Sequence, residues 1–494
     1  MNAVMPQIDT IVMLMLENRS LDTMLGWLYS GGKPNHVFPN TNDPRELLFN
    51  GIPPGAVNYY KSTAYSPANG TQGMSQPCRV PRWDPNEPFE SVEIQLFADG
   101  DGQMPNDPWL EQAPMTGFAY DFDAWWLTDA GLAEVMGAYT AQQLPVLYGL
   151  AESFAVSDRW FSSIPTQTDA NRAFSICGTS LGGLDNGTPD TYDAPTVFNA
   201  ISGQKSWGVY WQYDGVGAGD PGEGPCYTVD IFPQIKQAGS GVVDTYQNFL
   251  AKLAAGADLP SFCYLEPFWG GGKGELAGTD FVGLQGNDYH PPAWIGPAEN
   301  DLNVLYDALR KSKQWPSMLF IITFDEHGGL WDHVSPTATV APDDNTSQFD
   351  FKTLGVRVPT ILVSPYVNPG TVFRAPPPET GPAFDFDHTS FIATILKWAG
   401  VDPATAGLGN RVAVAPTFEA VLSDTPYDNS PTFSVPSDYA GQGGGLGPHL
   451  LDVSLAGVPI ERFREAEEQS GTVEEFKARL ADLAARSSEG TPNA

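Results

Sequence analysis

Four side chains stand out because each closes an apolar run with an oxygen donor. Glu17 and Asn18 follow the run Ile11 to Leu16, and Asp325 and Glu326 follow Met318 to Phe324. Three of the four carry negative charge, and an all-oxygen set of this kind suits a divalent cation. Without one, buried carboxylates would repel each other and raise each other's pKa. Arg19 and His327 sit beside them and are the alternative source of neutralising charge. A hydroxyl joins the set from SSIPTQTDANRAFSICGTS (162–180), where Pro165 and Thr168 precede a helical run from about Ala170. That puts the Thr168 hydroxyl at a helix N-terminus, where backbone N–H groups and the helix dipole favour an anion. A hydroxyl is a weak nucleophile that a cation can activate. The plainer reading of Thr168 is an ordinary N-cap.

The chain has six histidines. His290 opens HPP after Asp288, and the prolines fix the chain that carries the imidazole. His388 lies in FDFDHTSF, ahead of a helix capped at Thr389 or Ser390, with Asp385 and Asp387 able to orient it. His327 and His333, in DEHGGLWDH, read as supporting or structural. His36 and His449 lie in Pro- or Gly-rich stretches without an acidic companion and read as structural.

The elements that would position these residues follow one grammar. A short, continuous apolar run reads as a strand buried on both faces, as in a parallel sheet. Open parallel sheets bind ligands just outside the carboxyl ends of their strands, which is where the four residues stand. Residues 300–315 space Leu302, Leu305 and Leu309 for a helix capped by Asn300 or Asp301, and 356–367 read as another strand. A helix follows with Phe391, Ile395 and Trp398 on one face and Gly400 as its stop. Strand alternating with helix predicts an α/β fold with a central, mostly parallel sheet flanked by helices. Residues 51–118 and 181–290, rich in Gly, Pro, Asn, Asp and aromatics, read as insertions folded over the carboxyl edge of the sheet. Residues 472–486 form an amphipathic pattern with a capping box, Thr472 to Glu475, inside a helical extension of about 455–490. No internal repeat is present, and the whole of 1–494 reads as one domain.

With 25 basic against 59 acidic residues, the formal charge is −34, which makes nucleic acid and anionic membrane surfaces poor partners. Cys78, Cys177, Cys226 and Cys263 form no CxxC pair, so disulfides and free thiols both stay open. The start of the chain shows no signal peptide and no run long enough to span a membrane. The expectation is a cytoplasmic protein, or a secreted one already processed.

Six motifs together resemble the bacterial phosphoesterase family of phospholipases C and acid phosphatases, in the alkaline phosphatase superfamily. They are ENRSLD (17–22), PTQTDANR (165–172), HPP (290–292), DEHGGLWDH (325–333), VRVP with SP (356–365) and DHTS (387–390), across about residues 8–423. The resemblance implies that Glu17, Asn18, Asp325 and Glu326 bind one divalent metal (Ca, Mn, Mg or Zn) with a nucleophilic Thr168. It implies that His290 and His388 contact phosphate or leaving group. Two departures touch the substrate class. Thr23 stands where ENRSFDH ends in histidine, and Glu87 in DPNE (84–87) stands where a histidine is common.

These features favour a phosphodiester, such as a phospholipid head-group linkage, over an acid-phosphatase-type monoester, whose near-double charge wants more cations than one metal and Arg172. Trp125, Trp126, Trp207, Trp211, Trp269 and Trp294 either fill the core or line a pocket for a quaternary ammonium. A serine-esterase reading has GTSLG (178–182) with Ser180, Asp325 and His388 in order, but a helical run precedes Ser180 where that motif needs a strand. DGDGQM (99–104) lacks the sixth-position glycine of a calcium loop.

Overall fold

The structure is a computed structural model. It describes residues 4–439 apart from 70–80, 82–83, 111, 123–128, 213–225, 270–272, 277–278, 283–285, 292–294, 347 and 438. Nine strands form the main sheet. In chain order they are β1 (Thr10–Leu16), β2 (His36–Phe38), β3 (Ala155–Ser157), β4 (Trp207–Trp211), β5 (Val242–Thr245), β6 (Phe262–Glu266), β7 (Met318–Phe324), β8 (Thr360–Val363) and β9 (Thr371–Phe373). Their spatial order is β2-β9-β3-β8-β7-β1-β6-β4-β5. Every neighbouring pair is parallel except those of β8, which runs against both β7 and β3.

The central strands are the apolar runs. TIVMLML and MLFIITF are buried along their whole length, which only a sheet covered on both faces can provide. The expected mostly parallel α/β sheet is what forms. One correction concerns the segment 181–290: β4, β5 and β6 all come from it, so it builds one flank of the sheet rather than only covering an edge. Its strands are short and aromatic-rich, WGVYW and FCYLE, and they sit in Gly- and Pro-rich surroundings.

Six helices matter below: α1 (Leu21–Leu25), α2 (Phe89–Phe97), α3 (Pro145–Ser153), α4 (Thr168–Ile176), α5 (Gly296–Lys311) and α6 (Thr389–Trp398). Helix α5 starts at Gly296, earlier than an Asn300 or Asp301 cap would have it, with proline in its first turn. Proline suits that place because its missing N–H has no helical partner there. Asp301 is instead inside the helix, accepting hydrogen bonds from Gln212 and Tyr246 at 3.2 Å. The insertion 51–118 packs through α2 against Trp331 and Val356, beside the strand ends. The amphipathic segment 472–486 lies outside the described residues.

Candidate active site

Strands β1 and β7 run in register, with Leu16 opposite Phe324, so Glu17 and Asp325 leave the sheet side by side. Asn18 follows with φ +56°, a left-handed conformation that asparagine tolerates better than most residues. The turn brings the Asn18 N–H back to Asp325 Oδ1 at 2.9 Å, and the Glu326 N–H donates to the same oxygen at 2.7 Å. The exit turn needs glycine: Gly328 has φ +63°, and a Cβ there would lie 2.3 Å from the Asn18 carbonyl oxygen. Its N–H donates to Glu326 Oε2 at 2.6 Å.

Thr168 is the first residue of α4, after an N-cap, Gln167, that makes no side-chain cap bond. Its hydroxyl is therefore not spent as a cap. It lies 3.2 Å from Asn18 Oδ1 and 3.4 Å from Glu17 Oε1. Four residues on, and so on the same helix face, Arg172 donates to Asp325 Oδ2 and the Leu16 carbonyl, each at 3.0 Å. Trp269 stacks on the guanidinium at 4.3 Å, and its indole N–H donates to the buried Glu266 at 2.8 Å.

The Asn18 amide is fully committed. Its nitrogen donates to Glu87 Oε1 and to His290 Nε2, the latter at 2.7 Å, which turns its oxygen toward Thr168. His290 Nδ1 contacts the Pro291 carbonyl. A carbonyl can only accept, so the proton is on Nδ1 and Nε2 is the acceptor. Glu87 lies 3.6 Å and Asp84 3.7 Å from the same imidazole. Asp288, fully buried, accepts from the His290 N–H at 3.1 Å, and its carbonyl accepts from the Glu17 N–H at 2.9 Å.

His388, expected to contact phosphate or leaving group, lies against Asp325 and Trp160. It is fully buried, its Nε2 donates to the Asp325 carbonyl at 2.6 Å, and its Nδ1 accepts from the Trp160 indole at 3.4 Å. Nor do the neighbouring aspartates orient it: Asp385 pairs with Arg159, and Asp387 with Ser163, Thr389 and Arg411. His327 donates from Nε2 to Gln95 at 2.8 Å, and burial lowers its pKa to about 3, so it stays neutral. His333 joins a buried knot. Its Nδ1 is 2.6 Å from Asp22, while Arg357 bridges Asp332 (2.9 Å) and Asp22 (3.1 Å). This knot ties ENRSLD, DEHGGLWDH and VRVP together as structure.

Burial, followed by the charges of Asp288 and Asp325, raises the Glu17 pKa well above the usual carboxylate range, and burial plus Asp325 raises that of Glu326. Burial is the largest single influence on the Arg172 guanidinium and works against its charge, but Asp325, Tyr264, Glu17 and Tyr227 together outweigh it and the net shift is upward. Glu326 Oε1 is buried and has no hydrogen-bond partner, an uncompensated state that is costly for a carboxylate. Among the described residues, acidic and histidine ligand atoms converge within 4.8 Å in two groups, Asp84–Glu87–His290 and Asp22–Asp332–His333. Arg357 already neutralises the second. Glu17, Asp325 and Glu326 are spread more widely than that, as mutually repelling carboxylates are. The donor set of Glu17, Asn18, Thr168, Asp325 and Glu326 fits one hard or borderline divalent ion: it is all oxygen, short of positive charge and has an orphaned oxygen.

Sequence reasoning assigned no site role to Glu87, Asp84 or Asp288. The signal for Glu87 and Asp84 was their place in DPNE (84–87); Asp288 was noted only as the residue ahead of HPP. Ser180 donates to the Gly183 carbonyl at 2.8 Å within a turn, and no strand precedes it, so the esterase geometry is absent. Asp99 Oδ1 accepts the N–H groups of Asp101 and Gln103, which makes DGDGQM a self-contained turn. Trp207 and Trp211 fill the core, and Trp125, Trp126 and Trp294 lie outside the residues whose side chains are described. Cys177, Cys226 and Cys263 are buried free thiols. No helix among the described residues is long and apolar enough to cross a membrane.

A mostly parallel sheet thus presents a hydroxyl, carboxylates and an arginine together at its carboxyl edge. A family model described as "Phosphoesterase family" matches residues 8–402. The chain belongs to that family and is a phosphoric ester hydrolase. It is 33% identical to "Non-specific phospholipase C6" of Arabidopsis thaliana over 441 residues, 86% of this chain and 74% of that one. It is 26% identical to "Phospholipase C A" of Mycobacterium tuberculosis over 440 residues, 80% of this chain and 73% of that one. Among solved structures it is similar to a protein in the alkaline phosphatase superfamily from Vibrio parahaemolyticus, at 13% identity and a TM-score of 0.29, over 70% of this chain and 81% of that chain.

Proposed function

We propose that the protein is a metal-dependent phosphodiesterase of the phospholipase C type that works through a phosphothreonine intermediate. The observation that carries this reading is the Thr168 hydroxyl, uncommitted as a cap and within 3.4 Å of both Glu17 and Asn18. Glu17, Asn18, Thr168, Asp325 and Glu326 hold one divalent cation, with Ca, Mn, Mg and Zn all compatible. When bound, the ion supplies positive charge that favours the ionised hydroxyl and offsets the charge of the phosphate.

Thr168 Oγ1 attacks phosphorus, and the alcohol departs on the opposite side. The Thr168–phosphate ester forms as the phosphorus–alcohol bond breaks. Water then attacks the same phosphorus and frees Thr168. Asn18 keeps its oxygen toward Thr168 because Glu87 and His290 hold its nitrogen. Arg172 fixes Asp325, and His388 acts on the same residue by donating to its carbonyl. His290, whose unprotonated Nε2 accepts from the Asn18 amide, moves a proton between leaving oxygen and water when Nε2 exchanges that bond for the reacting oxygen. His388 is a positioning residue.

A diester carries one negative charge where a monoester carries nearly two, and the carboxylates Glu87 and Asp84 stand beside Asn18 and His290. That electrostatic setting, with relatives called phospholipases C, supports the diester. Comparing kcat/KM for p-nitrophenyl phosphate, bis-p-nitrophenyl phosphate, p-nitrophenylphosphorylcholine and phosphatidylcholine tests it. A preference for the monoester would make this an acid-phosphatase-like enzyme.

A further inference from the structure

A cavity of about 590 Å³ lies apart from the catalytic residues, lined by Trp27, Tyr29, Lys33, Gln142, Tyr148 and Glu152 among others. Lys33 stands three residues before β2 and Glu152 three before β3, and both strands run in the same sense as β1. The cavity therefore reaches toward the edge of the sheet where strands begin, opposite the edge where Glu17 and Asp325 emerge. Its size is that of a small-molecule site.

The lining has a definite chemistry. Three aromatic side chains, the Glu152 carboxylate and the Lys33 ammonium line it. Burial, and then the Glu152 carboxylate, push the Tyr29 phenol up to about 12, and Glu152 adds to the upward shift that burial gives Tyr148. Glu152 thus lies near both phenols. The Tyr148 hydroxyl is spent on the Tyr139 carbonyl at 2.9 Å, whereas the buried Tyr29 hydroxyl has no partner. Tyr29 also has φ +58°. An aromatic residue adopts the left-handed region only at a cost in backbone strain, and such strain collects at ligand sites. Edge-on packing against Phe49, ring centres 5.9 Å apart, steadies the ring.

Aromatic faces beside a carboxylate attract a cation with an apolar skin, which is a quaternary ammonium. We infer that this cavity is a second, non-catalytic site for a small organic cation of the choline type, held by Trp27, Tyr29, Tyr148 and Glu152. The cation arrives either free in solution or as the head group of a lipid.

Isothermal titration of the intact protein with choline, and with its neutral isostere 3,3-dimethylbutanol, tests the site against a Glu152→Gln variant. Glu152 is exposed at the cavity rim, so the variant folds, and hydrolysis of a soluble chromogenic diester stays unchanged. The expected result is saturable choline binding, with the isostere and the Glu152→Gln variant each weaker by about tenfold or more, the size of one good cation contact. Co-sedimentation of Thr168→Ala protein with phosphatidylcholine vesicles, with and without Glu152→Gln, identifies the source. Retention that depends on Glu152 assigns a bilayer head group, and binding of choline alone assigns the free cation. Equal binding of choline and its isostere, choline binding that ignores Glu152, or no binding in either arm would overturn the inference.

Discussion

The backbone N–H of Asn18 and the carboxylate of Asp325 are joined at 2.9 Å although 307 residues separate them. This bond locks two adjacent strand ends into one unit. It exists because Leu16 and Phe324 face each other in register, and because Asn18 takes a left-handed turn that glycine at 328 makes room for. Arg172 and His388 are attached to this unit through Asp325, and Glu87 and His290 through Asn18.

The knot of Asp22, Asp332, His333 and Arg357 is buried and serves structure. Removing Arg357 leaves two buried carboxylates with one histidine between them, and a broken buried ion pair costs about 3–5 kcal/mol. Arg357→Leu is expected to lose that much in urea denaturation. A loss below about 1 kcal/mol would show that the knot contributes little beyond geometry.

Glu87→Gln keeps an acceptor for the Asn18 amide and removes a charge. The ratio of monoester to diester kcat/KM is expected to rise about tenfold, equivalent to a ~1.4 kcal/mol Coulomb effect. An unchanged ratio with unchanged rates would remove Glu87 from the account of specificity.

Glu299 is buried and accepts hydrogen bonds from the N–H groups of Val146 (2.6 Å) and Leu147 (3.2 Å) at the start of α3 and from Tyr289 (2.7 Å). Burial pushes its pKa from 4.5 to about 7. Between those values the folded chain holds a proton that the unfolded chain has released, so this group's contribution to stability falls as pH rises through the window. Glu299→Gln is expected to flatten that part of the melting-temperature profile between pH 5 and about 7. A variant profile parallel to wild type would contradict the assignment.

Removing the cation should leave Glu17, Asp325 and Glu326 repelling one another. Chelated protein is expected to melt lower than untreated protein, with recovery when one of Mg, Ca, Mn or Zn is restored, and elemental analysis should find one ion per chain. Glu326→Gln should abolish that stoichiometry. Full activity in a metal-free preparation would sink the metal assignment.

The two central strands and the four residues at their ends were legible because a doubly buried strand needs an unbroken apolar run, and a run that stops at Glu or Asp announces its end. Strands β4 to β6 were not read as part of the sheet. They are short and aromatic, and Gly- and Pro-rich sequence around them speaks for loops. Glu87 escaped because only the folding of 51–118 over the edge carries it to Asn18, 69 residues away. The surroundings of His388 escaped for the same reason: Trp160 and Asp325 hold its ring, and neither is near it in sequence. Pattern reports burial and periodicity well, whereas contacts made by loops depend on tertiary closure.

The central claim is that Thr168 is the nucleophile. Rapid acid quenching of the enzyme during turnover of bis-p-nitrophenyl phosphate, followed by peptide mass spectrometry, tests it most directly. Phosphorylated peptide spanning Thr168 is expected in the wild type and absent in Thr168→Ala, which should fold normally yet lose several orders of magnitude in kcat, while Ser180→Ala keeps its activity. A quenched wild-type enzyme carrying no phosphate on Thr168, together with a Thr168→Ala variant that still turns over at near wild-type rate, would contradict it.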